Sequence, residues 1–384
     1  MHFLIAPNAF KNSINAMDAA VAIGKGLEQS RLNASYDLFP IGDGGDGTAA
    51  LIIHHCGGKS VPCAVHDPLG RLIESRFGWV EETKTAVIEL ADVSGLRLLV
   101  PEEYNPLHYT TFGTGELIRS ALDRSPRELV LGIGGSATVD GGVGILQALG
   151  IRLLNAKKEI IVNLPLGLSE LESIDVSELD SRILKTNLVV LCDVSNFLLG
   201  EKGAAAVFGP QKGAKTSDIK ILDAGLSKLR EKAIEVMKVD MNAALYGGAA
   251  GGVAAGLYAF LHARLVSGIE YFLDITGFDK QLEKAEMVIT AEGSLDEQTL
   301  QGKGPFGVAR RAKEKDIPVV AMAGKIPSVI PGDLRKYFDY ILSINDGPVD
   351  PVQALKSTAE NLTRTSRHFA NELFANQEPK KNDS

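Results

Sequence analysis

LVLGIGGSATVDGGVGILQALG, residues 129–150, passes from an apolar strand pattern into a glycine-rich turn holding Ser136, Thr138 and Asp140, and then into a helical pattern. A strand end, a glycine turn and a helix start together present unpaired N–H groups to an anion, and the helix dipole adds to the attraction. Phosphate binding is the functional reading. No Gly-Lys-Ser/Thr follows, so this is not a Walker loop, and Gly132, Gly134 and Ala137 only approximate the dinucleotide fingerprint. A tight turn with Asp140 as helix cap would use the same residues.

Outward from this stretch the two chain ends share one pattern. HFLIAP, an amphipathic stretch from Asn15 to Gln29, YDLFPIG and an Ala/Leu/Ile-rich stretch from Thr48 to His55 alternate strand with helix. So do AEMVITAEG (285–293), a helix from Gly307 to Lys315, IPVVAMAG (317–324), FDYILSIND and a last helix from about Val352 to Ala375. Such alternation belongs to a parallel sheet covered by helices. ESRFGWVEETKTAVIEL (74–90) and IRLLNAKKEIIVN (151–163) instead carry short strands joined by polar turns, the pattern of antiparallel hairpins. The expectation is an α/β chain: a doubly wound, mostly parallel domain from residues 1–70 plus 266–375, and an inserted mixed α/β domain over 71–265 containing the hairpins. Hinges are expected near 68–72 and 264–268, a ligand in the cleft between the domains, and a disordered tail over 376–384.

A length of 384 residues suits two or three domains. With 45% hydrophobic and 23% charged residues the chain is neither disordered nor a coiled-coil array. A net charge of −8 gives no footprint for nucleic acid or anionic lipid, so the expected partners are small molecules. Cys56, Cys63 and Cys192 are too scattered for a disulfide framework, MHFLIAPNAF is no secretory signal, and the glycine- and alanine-rich run Tyr246–Leu261 reads as a packed core helix. Cytoplasmic localisation follows; a homo-oligomer stays open.

Glycine is over-used, 40 residues, and clustered at 42–47, 132–150, 200–213, 247–256 and 293–307. Such clusters suggest a ligand gripped by backbone amides. Acids and cations accompany them. In PIGDGGDGT (40–48), Asp43 and Asp46 could bind Mg²⁺, accept a hydroxyl proton or cap the next helix, and capping needs only one. Asp193 follows the apolar run Leu188–Cys192, where a carboxylate at a strand's carboxyl end suits a catalytic base or a metal ligand. Lys212 in FGPQKGA offers a phosphate charge or is an ordinary surface lysine. VITAEGSLDEQTLQGKGPFGVA (288–309) sets Glu292, Asp296, Gln298, Thr299 and Lys303 in a glycine-broken loop after a strand, and APNAFKNS (6–13) places Lys11 and Ser13 after the first strand. Neither Gly-x-Ser-x-Gly nor His-Glu-x-x-His occurs. Backbone donors, carboxylates and lysines are the parts of phosphoryl transfer. A phosphosugar-type isomerase or another phosphate-binding enzyme could use the same loops, and so could a non-catalytic metabolite sensor.

The chain resembles the bacterial-type glycerate kinase family. The likeness runs in order through APNAFKNS (6–13), DGGDGT (43–48), GIGGSATVDGGVGILQALG (132–150), CDVSNFLLGEKGAAAVFGPQKGA (192–214), GGAAGGVAAGL (247–257), ITAEGSLDEQTLQGKGPFGVA (289–309) and PVVAMAG (318–324). It implies phosphorylation of D-glycerate by ATP and Mg²⁺, on a Rossmann-like domain carrying an inserted one. The catalytic set it suggests is Asp193, Lys11, Asp43, Asp46 and Glu292, with Asp193 and Glu292 as metal ligands. The nucleotide-binding set is Gly134, Gly135, Ser136, Asp140, Lys212, Asp296 and Lys303. Three positions depart from the family pattern: Asn8 and Asp46 stand where Asp and Glu are common, and Phe197 where Pro is.

Overall fold

A computed structural model describes residues 1–296, 299–300, 302–345, 347 and 350–377. The chain forms two compact units, Met1–Asp43 with the segment from Ile269 onward, and Gly44–Gly268.

In the first unit the apolar runs pair as a fully parallel five-stranded sheet. Its order is Tyr340–Ser343, Val319–Lys325, Met287–Ser294, His2–Ile5, Ser35–Leu38. Phe3, Ile5, Ile289 and Met322 are among its buried side chains, and each such burial stabilises the fold by about 1.5–3 kcal/mol. The helix Ala16–Glu28 starts where Asn15 Oδ1 accepts the Asp18 N–H at 2.8 Å. It packs on the helix Thr358–Gln377 so closely that a Cβ on Gly26 would stand 1.9 Å from Ser366 Oγ. That last helix runs through Asn376 and Gln377, where the tail was expected to begin; residues 378–384 lie outside the described residues.

The second unit holds a six-stranded sheet in the order Arg264–Ser267, Asn187–Cys192, Glu128–Gly132, Thr85–Glu89, Leu72–Val80, Lys59–His66. Its first four strands are parallel, and the Leu72–Val80 strand is antiparallel to both neighbours. The hairpin at 74–90 is therefore as expected. The one expected at 151–163 is present only as a short antiparallel turn, with Leu154 bridged to Ile160, the Ile161 N–H donating to Leu153 O at 2.9 Å and the Asn155 N–H to Glu159 O at 3.0 Å, while Arg152–Leu154 pairs as a strand with Ser173–Asp175.

The first crossing between units falls at 43/44 rather than 70/71. The helix Thr48–His55 packs on the strands Thr85–Glu89 and Leu72–Val80, and Lys59–His66 forms the edge of the same sheet. Local strand–helix alternation could not reveal this, because it does not say which sheet a segment joins. The second crossing, at 268/269, lies near its expected place. No helix among the described residues is long and apolar enough to cross a membrane.

Candidate functional site

In the first unit a polar group forms where strands give way to loops. Asn8 follows the His2–Ile5 strand, and its Nδ2 donates to Asp43 Oδ2 at 2.7 Å. Glu292, near the end of the Met287–Ser294 strand, is only 7% exposed and accepts from Thr299 Oγ1 at 2.9 Å. Burial pushes its carboxyl up to about 7; Asp43 and Asp296 push the same way, while Thr299 and Lys303 oppose them. Lys303 stands at the start of the helix Gly304–Lys313, with Nζ 3.7 Å from Asp296 Oδ1. A Cβ on Gly304 would lie 3.0 Å from Asn8 Nδ2, so glycine lets that helix start sit against the group.

Five of the residues singled out along the sequence, Asp43, Glu292, Asp296, Thr299 and Lys303, thus meet here. Gln298 lies outside the described residues. Lys11 sits on an exposed turn and makes no hydrogen bond or ion pair among the described residues, so the structure does not join it to this group. Ser13 is occupied structurally: its Oγ donates to Leu355 O at 2.6 Å and contacts Thr358 Oγ1 at 2.7 Å.

In the second unit the glycine loop is built by close backbone approach. Gly134 donates its N–H to Gly44 O at 3.2 Å, and a Cβ on Gly134 would come within 2.6 Å of Gly45 Cα. Gly134 is therefore not a free anion donor as expected. The Gly135 and Ser136 amides donate to nothing among the described residues, and Gly135, at φ 70°, takes the left-handed backbone that glycine favours. Lys212 lies beside them, 2% exposed, its Nζ donating to Ser136 Oγ and to Thr138 O, both at 2.7 Å. Burial drives this amine down to about 7, against the pull of Asp140. Thr138 Oγ1 is also buried, with no partner among the described residues.

Asp140, expected with the nucleotide, is fully occupied within the protein. It accepts the N–H groups of Thr111, Gly142 and Gly144 and the Thr111 hydroxyl, which makes it the cap alternative. The glycines at 247–256 serve packing: Cβ atoms on Gly251 and Gly256 would strike Thr138 O at 2.2 Å and Gly141 O at 2.0 Å.

Neither acid of PIGDGGDGT caps the helix that follows. Asp43 belongs to the first unit, and Asp46 pairs with Arg97 at 2.6 Å, which also binds Asp92. The amide of Ala49 is taken instead by Glu89 Oε2 at 2.9 Å. Glu89 was missed along the sequence although it ends the all-buried strand Thr85–Glu89, the kind of position that drew attention to Asp193. Asp193 is exposed at the end of the Asn187–Cys192 strand. Among the described residues no three His, Cys, Asp or Glu side chains cluster as a metal cage, and the two expected metal ligands belong to different units.

A profile described as the glycerate kinase family matches residues 3–373. The chain belongs to the glycerate kinase family. It is 42% identical over 370 residues to a glycerate kinase of Bacillus subtilis (strain 168), covering 96% of this chain and 97% of that one. It is 39% identical over 372 residues to a glycerate 2-kinase of Escherichia coli (strain K12), covering 96% and 97%. A crystal structure of a candidate glycerate kinase 2 from Salmonella typhimurium LT2 superposes with a TM-score of 0.84 at 40% identity, over 99% of this chain and 100% of that one. The resemblance carried by the sequence motifs is borne out, and the chain is a kinase, a phosphotransferase with an alcohol group as acceptor. Of its departures from the glycerate kinase pattern, Asn8 supplies an amide donor to Asp43, Asp46 reaches Arg97, and Phe197 is 66% exposed.

Proposed function

We propose that this protein transfers the γ-phosphoryl group of ATP to the 2-hydroxyl of D-glycerate, in the presence of Mg²⁺ and in the cytoplasm, using two units that act as a discontinuous and an inserted domain. The observation that carries this is the arrangement at 135–136. Two uncommitted amides lie next to a buried lysine whose Nζ donates to Ser136 Oγ and Thr138 O and, when protonated, keeps a third donor; donors so placed suit phosphate oxygens. The 2-position is the one for which the Escherichia coli relative is named.

On this reading Gly135, Ser136 and Lys212 hold donor phosphates. The attacking oxygen loses its proton to the Asp193 carboxylate and bonds to the γ-phosphorus, and the bridging P–O pair leaves with ADP. In the first unit Asp43 and Glu292 would supply the oxygen ligands for Mg²⁺. The fit rests on their chemistry: Glu292 is held toward protonation by burial and by two neighbouring carboxylates, an excess of negative charge that a hard cation would relieve. One or two carboxylates plus phosphate oxygens suffice for that ion, so a three-residue cage is not required. When bound, Mg²⁺ supplies charge neutralisation on the phosphates. Lys303 and Asp296 order the loop around Glu292, and Asp46 with Arg97 orders the loop opposite Gly135.

Incubation with Mg·ATP and D-glycerate, followed by phosphorus NMR, tests this directly. The expected products are ADP and a 2-phosphate monoester. A 3-phosphate product would overturn the assigned position. ATP left unconsumed, or merely hydrolysed, would overturn the reaction.

A further inference from the structure

Glu89 is the buried acid that the preceding mechanism leaves without a task. It is 4% exposed, and Oε2 accepts the Ala49 N–H at 2.9 Å, with the Gly47 amide also contributing. Oε1 is buried and has no hydrogen-bond partner among the described residues. On the neighbouring strand Gly132 packs against this carboxyl, where a Cβ would stand in ordinary contact, 3.4 Å from Oε1. Glu89 also lines a cavity of about 300 Å³ under the helix Thr48–His55, together with Arg76, Arg97 and Asp92.

These facts constrain the occupant. Burial raises the Glu89 carboxyl to about 8, Asp46 adds to the rise, and the two amides and Arg97 oppose it. At neutral pH the group therefore keeps its proton. With Oε2 receiving N–H groups, the proton belongs on Oε1, which becomes a buried donor with no acceptor. The missing partner is an acceptor oxygen. Arg97 on the cavity wall is already paired with Asp46 and Asp92, so Arg76 is the wall cation that favours a carboxylate, and the volume, at the low end for ligand sites, suits a three-carbon acid rather than a nucleotide.

We propose that this cavity is the subsite for the acceptor's carboxylate, with Glu89 Oε1–H donating to one carboxylate oxygen and Arg76 bearing on its charge. The inference rests on the glycerate reading above. The groups facing Glu89 are Asp46 before the Thr48–His55 helix, Asp92 and Arg97 after the Thr85–Glu89 strand, and Arg76 on the adjacent strand. Ionising Glu89 removes the donor and sets like charge against the ligand. Binding weakens as pH rises through about 8.

The test is calorimetric titration of the full-length protein with D-glycerate, with ADP present, at pH 7 and pH 9, alongside steady-state kinetics. The wild-type Kd should rise about tenfold between these values, one decade beyond half-ionisation at pH 8. Glu89→Gln keeps a neutral donor at both, so its Kd should stay within about threefold of the wild-type value at pH 7 and lose the pH dependence. Arg76→Ala, on an exposed strand position, should raise Kd about tenfold at both pH values with an unchanged melting temperature. Loss of binding in folded Glu89→Gln at pH 7, retained pH dependence in that variant, or wild-type affinity in Arg76→Ala each overturns the subsite. If both variants bind normally while the wild type still phosphorylates glycerate, only this inference falls. A wild type that neither binds nor phosphorylates it takes the proposed function down as well.

Discussion

Glu292 and Asp193 each stand at the carboxyl end of a buried parallel strand, one in each unit, yet Glu292 is 7% exposed and Asp193 is open to solvent. Burial holds the first near the middle of the pH scale, where it can carry or release a proton; water around the second stabilises negative charge at little cost. Glu89 is a third case, at a strand end in the same sheet as Asp193 but buried like Glu292. A strand's end tells where an acid is presented. What packs around it decides which chemistry the acid can do.

The sharpest way to break this comparison is Asp193→Asn. A carboxylate acting on the transition state should cost about 3 kcal/mol when removed, roughly a hundredfold in kcat. Undiminished turnover would remove Asp193 from the mechanism and leave the buried acids as the ones that matter.

The buried groups predict effects on stability rather than rate. Glu292 has a folded pKa of about 7 against an ordinary 4.5, so its contribution is full below pH 4.5 and is lost as pH rises through 7. Lys212 runs the other way: its amine falls from 10.5 to about 7, so stability is fully present above 10.5 and is lost as pH falls through 7. Unfolding curves of wild type against Glu292→Gln and Lys212→Met across pH 4.5 to 10.5 should therefore show slopes of opposite sign. Slopes of one sign would mean that these side chains are more hydrated than their burial indicates. Lys212→Met should also raise KM for ATP about tenfold, by loss of one charge-assisted contact.

These residues mark how far the sequence could be read. Parallel α/β architecture at both ends was legible because apolar runs without alternation have few other uses. The acidic loop at 288–309 was legible because polar residues follow a buried strand directly. Asp140 was ambiguous: a cap and an anion loop use the same residue types, and only its four internal donors separate them. The glycines at 134 and 247–256 misled, since close packing of backbone on backbone demands glycine as strongly as a phosphate does. Glu89 was passed over because TAVIE reads as the second strand of a hairpin, although it also pairs in parallel with Glu128–Gly132. The parallel partner is remote in sequence, and it makes the end of that strand a place where chemistry is presented.

The smallest effect comes from Asn8, where the family resemblance leads to the expectation of a charged residue. Asn8 Nδ2 donates to Asp43 Oδ2 at 2.7 Å, so the amide satisfies an acid that stands beside Glu292. Asn8→Asp removes that donor and sets carboxylate against carboxylate. Without a cation, the repulsion should destabilise the first unit by about 1 kcal/mol, in line with the cost of one unfavourable polar contact. With Mg²⁺ present, the added oxygen ligand should offset the loss and lower the Mg²⁺ concentration for half-maximal activity by a few-fold. Melting curves with and without Mg²⁺ separate the two effects. If Asn8→Asp is equally destabilised in both and its Mg²⁺ requirement does not move, the group around Asp43 and Glu292 is a structural hydrogen-bond network. The cation would then be held by other oxygen ligands.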